Sequence, residues 1–166
     1  MPKPYRETKE RAEPSVERES LEKSVEHLLE ECRMVLPGVQ ALFGFQLVAV
    51  FNQAFLDRLG PREQILHLVA LFLTAVAVAM LMAPAAYHRQ AEPHAVSERF
   101  LAYADSLLTI AMVPLMFGLS IDLYIIATLV LHSAALSAGV AALLFGICAV
   151  LWFGVPRLRP PLPDRS

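Results

Sequence analysis

Ionisable side chains inside long apolar stretches are the residues of this chain that could do chemistry. Asp105 and Asp122 interrupt the apolar run 100–155, and His67 lies in an earlier run. A charged group inside a bilayer is costly, so such residues often line an ion path or pair with another polar group. Asp105 is the strongest candidate, because Thr109 follows it by one helical turn. The plainer interpretation places Asp105 close to the water interface, and Asp122 and His67 in water at the outer surface.

Amide side chains give the first apolar run a second candidate face. Gln46 and Gln53 are seven residues apart and would share one side of a continuous helix. Such amides most often form hydrogen bonds between membrane helices, each worth about 1 kcal/mol or less. The sharper interpretation is a polar path for an ion or a solute. Its candidate residues are Asp105, Gln46, Gln53 and Thr109.

No pattern in the sequence indicates an enzyme or a metal centre. The glycine loop of nucleotide-binding proteins, the GxSxG elbow and the HExxH zinc motif are all missing. Two cysteines, far apart in the chain, do not form a disulfide framework. The net charge of −2 is uninformative, but no basic surface suggests nucleic acid as a partner. We therefore expect a non-enzymatic protein with no catalytic residue, no cofactor and no metal ion.

The elements that would position these residues follow from an uneven distribution of charge. Apolar residues make up 56% of the chain, but residues 1–33 are mostly charged and 34–156 carry few charges. Because roughly 20 apolar residues cross a hydrocarbon core of about 30 Å, residues 37–156 predict a four-helix membrane domain. The four spans are placed at about 34–56, 64–84, 100–123 and 134–156. The turn between the last two lies somewhere in 120–135.

The segments outside the membrane domain have simple predicted structures. Residues 1–14 are charged and contain proline, which predicts a disordered tail. Residues 15–36 carry an apolar stripe at helical spacing and predict an amphipathic cytoplasmic helix, which could lie on the membrane or bind a partner. Pro37 predicts a kink or a short break after this helix. Residues 157–166 form a short cytoplasmic tail. The expected fold is all-α, a four-transmembrane-helix bundle with an N-terminal cytoplasmic amphipathic helix.

Basic residues predict the orientation of the bundle. Twelve of the fourteen Lys and Arg residues fall in the N-terminal segment, in the loop between the second and third spans, and in the tail. Since positive charge favours the cytoplasmic side, both termini are expected in the cytoplasm of a bacterial cell, with the spans in its inner membrane.

Small residues on the fourth span predict close helix packing. Gly139, Ala142 and Gly146 continue a stripe of small residues at alternating spacings of four and three. Such stripes let two membrane helices approach closely. The partner could be a helix of this chain, a second copy of it, or another membrane protein.

Two strings resemble signatures of a bacterial family of uncharacterised four-helix membrane proteins. Leu-Glu-Glu-Cys-Arg-Met-Val-Leu-Pro-Gly-Val-Gln-Ala-Leu-Phe at 29–43 resembles its LxELRVxLPGVQxLF motif, and Ala-Pro-Ala-Ala-Tyr-His-Arg at 83–89 resembles its APxAYHR motif. The resemblance covers about 28–156 and implies a bacterial inner-membrane protein of unknown function. Some members carry a sodium:proton antiporter label. Antiporters of known mechanism use buried Asp pairs in much larger inverted repeats, and nothing comparable occurs in this chain.

Both strings fall at the cytoplasmic interface in the predicted topology, which leads to a hypothesis about their polar residues. We expect these residues to form an interfacial group that holds the first three spans together at this face. Its members are Glu30, Glu31, Arg33, Tyr87, His88, Arg89, Arg99 and Asp105.

The function that the sequence favours is association. We expect a protein that acts as a homo-oligomer or as an accessory subunit of another membrane protein, with the lipid bilayer around it. The alternative is a small oligomeric ion or solute transporter or channel that uses Asp105 and the Gln46/Gln53 face.

Overall fold

The structure, a computed structural model, describes residues 5–91 and 97–158, and these are almost entirely helical. In chain order the helices are α1 Tyr5–Val50, α2 Gln53–Arg58, α3 Pro61–Ala91, α4 Glu98–Leu131, α5 Ala134–Ala149 and α6 Val155–Leu158, with a π-helical turn at Val150–Gly154 between the last two. No strand occurs in the two described ranges, and the predicted all-α class is confirmed.

Four helical segments are long and apolar enough to cross a membrane, as the sequence predicts. They are Lys23–Val50, Pro61–Gln90, Glu98–Leu131 and Ala134–Leu158. Many of their large apolar side chains are exposed, which suits helices surrounded by lipid rather than by water. The fold is therefore compatible with a multi-pass membrane protein.

The first helix is continuous through the proline that was expected to interrupt it. α1 runs from Tyr5 to Val50 with Pro37 inside it. Proline removes one backbone donor, and the residues on either side keep the helical path. Of the disordered tail predicted over 1–14, residues 1–4 lie outside the described residues, whereas 5–14 belong to α1. Residues 15–36 are part of the same continuous helix, and their amphipathic, cytoplasmic character stays a prediction. The tail beyond Leu158 also lies outside the described residues.

The helices pack in a row in which α3 and α4 form the central pair. α3 lies along α4 over most of its length, α1 contacts both, and α5 contacts α4. Small residues make the central contact close, and three of those in α3, Ala70, Thr74 and Ala77, are completely buried. The small buried residues of α4 are Ala104, Ala111, Gly118, Ser120 and Ala127.

A serine side chain caps the start of α4. Ser97 has an extended backbone (φ −106°, ψ 150°), and its hydroxyl accepts a hydrogen bond from the backbone N–H of Phe100 at 3.2 Å. This satisfies one of the N–H groups that a helix start leaves without a partner. The cap also places Phe100, only 1% exposed, against Val25, Leu28 and Cys32 of α1.

The end of α4 lies further along the chain than expected. α4 continues to Leu131, past the predicted end of the third span at 123, because residues 123–131 contain neither glycine nor proline. The turn to α5 consists of His132 and Ser133 and falls in the predicted range 120–135. His132 takes a left-handed conformation (φ 51°, ψ 26°), and its N–H bonds the carbonyl of Thr128.

Replacing His132 with valine should destabilise the α4–α5 turn. A β-branched residue is an outlier in the left-handed region, so we expect the free energy of unfolding to fall by about 1 kcal/mol. The measurement is the thermal unfolding midpoint in detergent, followed by circular dichroism. His132→Asn is the matched control, because asparagine tolerates this conformation and should leave the midpoint unchanged. Equal midpoints for the two variants would show that the turn does not depend on this backbone conformation.

Candidate functional site

Three polar side chains from three helices meet inside the bundle. Gln46 lies near the end of α1, His67 in the second turn of α3, and Asp122 in the C-terminal third of α4. The amide Nε2 of Gln46 donates a hydrogen bond to Asp122 Oδ2. The ring of His67 lies between the same two residues, with Nδ1 3.4 Å from Asp122 Oδ1 and Nε2 2.9 Å from the backbone carbonyl of Gln46. We call these residues the polar cluster.

The side chains of the polar cluster are mostly buried. Gln46 is 4% exposed and His67 7%, and the side chain of Asp122 is 16% exposed. Phe55 closes one side, with its ring centroid 5.1 Å from that of His67 in an edge-on arrangement. Burial of polar groups is tolerated when they bond one another, and these bonds tie α1, α3 and α4 together.

The ring of His67 contacts α1 through one nitrogen and α4 through the other. A backbone carbonyl can only accept a hydrogen bond, so the contact between Nε2 and the carbonyl of Gln46 is one in which the ring donates. The second nitrogen, Nδ1, makes its polar contact with Oδ1 of Asp122. His67 therefore links the end of α1 to α4.

The polar cluster lies at the base of a cavity of about 440 Å³. Most of the cavity wall is apolar, and Arg58 and Asn52 lie among its polar residues. The apolar side chains are Leu42, Phe45, Ala49, Phe55, Leu59, Ile125, Ile126 and Leu129. Cavities of this size with a few convergent polar groups are typical of small-molecule sites.

One acceptor of the polar cluster has no hydrogen-bond partner within the described residues. The amide oxygen Oε1 of Gln46 is buried and unpaired, although the nitrogen of the same amide bonds Asp122. Burying a polar atom without a partner costs roughly 1–3 kcal/mol. The site therefore lacks one hydrogen-bond donor.

The chemistry open to the polar cluster is proton holding and hydrogen bonding. It contains no hydroxyl or thiol nucleophile. Its two ionisable side chains are fewer than a metal centre normally uses, and nowhere in the part of the chain that the structure describes do three or more His, Cys, Asp or Glu side chains lie close enough to bind a metal ion.

At the opposite end of the bundle, the signature strings contribute mainly aromatic contacts. Tyr87 stacks on Phe100 at 5.7 Å and lies 5.3 Å from the ring of Tyr103, and the ring of His88 is 5.5 Å from Phe100. The Nδ1 atom of His88 is buried without a partner. The other residues of the interfacial group that the sequence predicts are exposed. Within residues 23–90 and 97–158 they make no ion pair or hydrogen bond with one another. They are Glu30, Glu31, Arg33, Arg89, Arg99 and Asp105.

The residues of the alternative transport path are not brought together. Asp105 and Thr109 are exposed in the N-terminal half of α4, about 25 Å and about 20 Å along the helix axis from the level of Asp122. Gln53 is exposed at the start of α2, because α1 ends at Val50 and a turn breaks the seven-residue relation to Gln46. Of the four path residues, only Gln46 belongs to the polar cluster.

The small-residue stripe of α5 faces away from the rest of the bundle. Gly139, Ala142 and Gly146 are exposed, whereas Ser137 and Cys148 on the other side of α5 are buried. A Cβ atom added at Gly139 or at Gly146 would meet no atom within 4 Å. The stripe therefore makes no close helix contact with any other described part of the chain.

Sequence reasoning found the residues of the polar cluster but not their association. Asp122 was interpreted as solvated at the outer end of the third span, and His67 as hydrated, whereas the structure pairs both with Gln46. The available signal was depth in the membrane. Each of the three residues lies within about three turns of the helix end that faces the same side of the bundle. Depth cannot reveal which faces turn toward one another.

Comparison with known proteins identifies the family and gives no activity. No curated protein and no solved structure matches the chain. The model of DUF6328, a family of unknown function, matches residues 14–156, which include both signature strings and the whole polar cluster. Because this match covers most of the chain, the protein belongs to the DUF6328 family of unknown function.

Proposed function

We propose that this protein is a non-enzymatic, multi-pass protein of the bacterial inner membrane that acts by associating with a second copy of itself through α5. The observation that carries the proposal is the exposed stripe at Gly139, Ala142 and Gly146, where added side-chain atoms would meet nothing. Lipid solvates a large apolar side chain as well as protein does, so a glycine facing lipid gains nothing from that position. A second helix packed against the stripe would gain close backbone contact.

The proposed orientation has both termini in the cytoplasm. It is supported by the basic residues whose side chains the structure describes, since five of these seven lie at the end of the bundle that contains the start of α4. The buried side chains Val25, Leu28 and Cys32 also belong to this end, where they pack on Phe100. This contact supports a cytoplasmic helix that docks on its own bundle rather than lying flat on the membrane.

Replacing Gly139 and Gly146 together with leucine should convert an oligomer to a monomer. Two leucines would hold the facing backbones apart, and the helix contact depends on their approach. The measurement is the mass of the protein in detergent by sedimentation equilibrium. We expect an oligomer for the natural protein and at least about a tenfold weaker association for the variant, as loss of about 1.4 kcal/mol would produce.

Gly44→Leu is the matched control, because Gly44 of α1 also has open space around it but stands outside any stripe of small residues. It should leave the association constant unchanged. A natural protein that sediments as a monomer, or a double variant that associates like the natural protein, would contradict the proposal.

Transport is the second candidate function, and the buried polar cluster is the observation that favours it. Such groups in a membrane helix often mark an ion or solute pathway. Flux of protons, sodium and small cations into proteoliposomes would test it. Transport predicts flux that Asp122→Asn abolishes and Asp105→Asn preserves, since Asp105 lies outside the cluster.

A further inference from the structure

Two cavities lie side by side at the end of the bundle where α2 leads into α3 and α4 into α5. One is the cavity of about 440 Å³ above the polar cluster, which we call the deep cavity. The other, the end cavity, has a volume of about 490 Å³ and reaches His132 in the turn after α4. Arg58, Leu59 and Leu129 line both, so the two cavities lie directly against each other.

The two cavities differ in depth and in polarity. The end cavity lies where the span Pro61–Gln90 begins and the span Glu98–Leu131 ends, and the ends of spans meet the headgroups of a bilayer. The deep cavity lies further along the helices, at the level of the hydrocarbon core, and most of its wall is apolar. A molecule that fills both must therefore be polar at one end and apolar at the other.

The deep cavity is elongated and accessible from the side of the bundle. Its lining includes residues within 42–49 of α1 and within 122–129 of α4, and each stretch is about 10 Å long along the helix axis. Phe45 and Ile126 belong to this lining and are exposed, so the space between α1 and α4 is open toward lipid. This shape suits a hydrocarbon chain that continues into the bilayer.

The polar cluster at the base does not exclude such a chain. Its side chains bond one another and are mostly buried, so they present little polar surface to the cavity. Water molecules would find few polar partners along the rest of the wall. A hydrocarbon chain has no polar atom that the wall would leave without a partner.

The end cavity contains a positive and a negative side chain that do not pair. Arg58 and Glu63 both line it, and neither makes an ion pair or a hydrogen bond with any residue that the structure describes. A phosphate group can accept two parallel hydrogen bonds from the guanidinium of Arg58. A primary ammonium group can donate to the carboxylate of Glu63. A headgroup with a phosphate alone would leave Glu63 facing a second negative charge.

We propose that the two cavities together bind a phospholipid whose headgroup carries a primary ammonium, as in phosphatidylethanolamine. Its phosphate binds Arg58, its ammonium donates to Glu63, and one acyl chain lies in the deep cavity between α1 and α4. The site is separate from the exposed stripe of α5, so it does not depend on self-association.

Native mass spectrometry of the delipidated protein in detergent tests the headgroup. Dioleoyl phosphatidylethanolamine, phosphatidylglycerol and phosphatidylcholine carry the same chains. We expect the first molecule of phosphatidylethanolamine to bind about tenfold more tightly than either of the others, because phosphatidylglycerol has no ammonium and the trimethylammonium of phosphatidylcholine has no N–H donor. Equal affinities for the three lipids would overturn the proposal.

Two charge variants test the contacts at the end cavity. Arg58→Gln should weaken binding of phosphatidylethanolamine about tenfold, and Glu63→Gln should remove its preference over phosphatidylglycerol. Arg62→Gln is the matched control, since Arg62 is exposed in the same connection but lines neither cavity, and it should change neither property. If Arg58→Gln and Glu63→Gln both bind the lipids as the natural protein does, the headgroup lies elsewhere and the assignment is wrong.

The chain is tested by filling the deep cavity and by removing the chain from the ligand. Ala49→Phe should weaken phosphatidylethanolamine at least about tenfold, whereas Ala41→Phe, at an exposed position of α1, should not. Glycerophosphoethanolamine has the same headgroup without chains and should not displace the lipid at equal concentration. Unchanged binding in Ala49→Phe, or displacement by the headgroup alone, would show that the deep cavity holds no chain and would overturn the proposal.

Discussion

Replacing Gly118 with valine is expected to lower the free energy of unfolding by about 1–3 kcal/mol, the usual cost of overpacking a close contact. A Cβ at this position would lie 3.1 Å from Thr74 Oγ1 and 3.3 Å from the carbonyl oxygen of Ala70. The hydroxyl could turn aside, but the carbonyl belongs to the backbone of α3 and cannot move without separating the two central helices. Valine adds two methyl groups at the same point. The measurement is the midpoint of unfolding in a denaturing detergent, followed by circular dichroism.

Gly44→Val is the matched control for this contact. It makes the same chemical change in a membrane helix, but a Cβ there meets no atom within 4 Å. Its effect should therefore stay within about 0.5 kcal/mol, as for most substitutions that disturb no packing. Equal midpoints for Gly118→Val and Gly44→Val would show that α3 and α4 do not approach each other as closely as the structure indicates.

The length of the apolar runs predicted the order of the helices well. The runs after residues 33, 63 and 99 contain spans near the expected places. Boundaries inside apolar sequence were harder to place. Nothing in the sequence between Asp122 and His132 resembles a turn. The end of α4 depends on the left-handed backbone of His132, and a histidine in a sequence does not predict that conformation.

The candidate site could not be assembled from the sequence because the helices are apolar on all sides. In a soluble protein the apolar stripe tells which face is buried, but a membrane helix has apolar residues toward both lipid and protein. The rotation of α3 that brings His67 to Gln46 is set by the small residues Ala70, Thr74 and Ala77, which pack against α4. Their importance shows only once the two helices are placed side by side.

Replacing Asp122 with leucine is expected to lower the free energy of unfolding by about 3 kcal/mol. The change leaves the amide nitrogen of Gln46 and the Nδ1 atom of His67 without their partner, and each buried polar group that loses its bond costs roughly 1–3 kcal/mol. Leucine also removes the cost of burying a carboxyl group, which offsets part of this loss. The measurement is again the unfolding midpoint in a denaturing detergent.

A double-mutant cycle with His67→Leu tests whether the two residues act as a pair. Once Asp122 is absent, His67 has lost one of its two bonds, so its own removal should cost less than it does in the natural protein. We therefore expect the double variant to be more stable than the sum of the single effects predicts, by about 1 kcal/mol or more. Asp105→Leu is the matched control, since this exposed carboxylate of the same helix makes no ion pair among the described residues and should have little effect alone. Strictly additive effects of His67→Leu and Asp122→Leu would mean that the two side chains do not stabilise the fold as a pair.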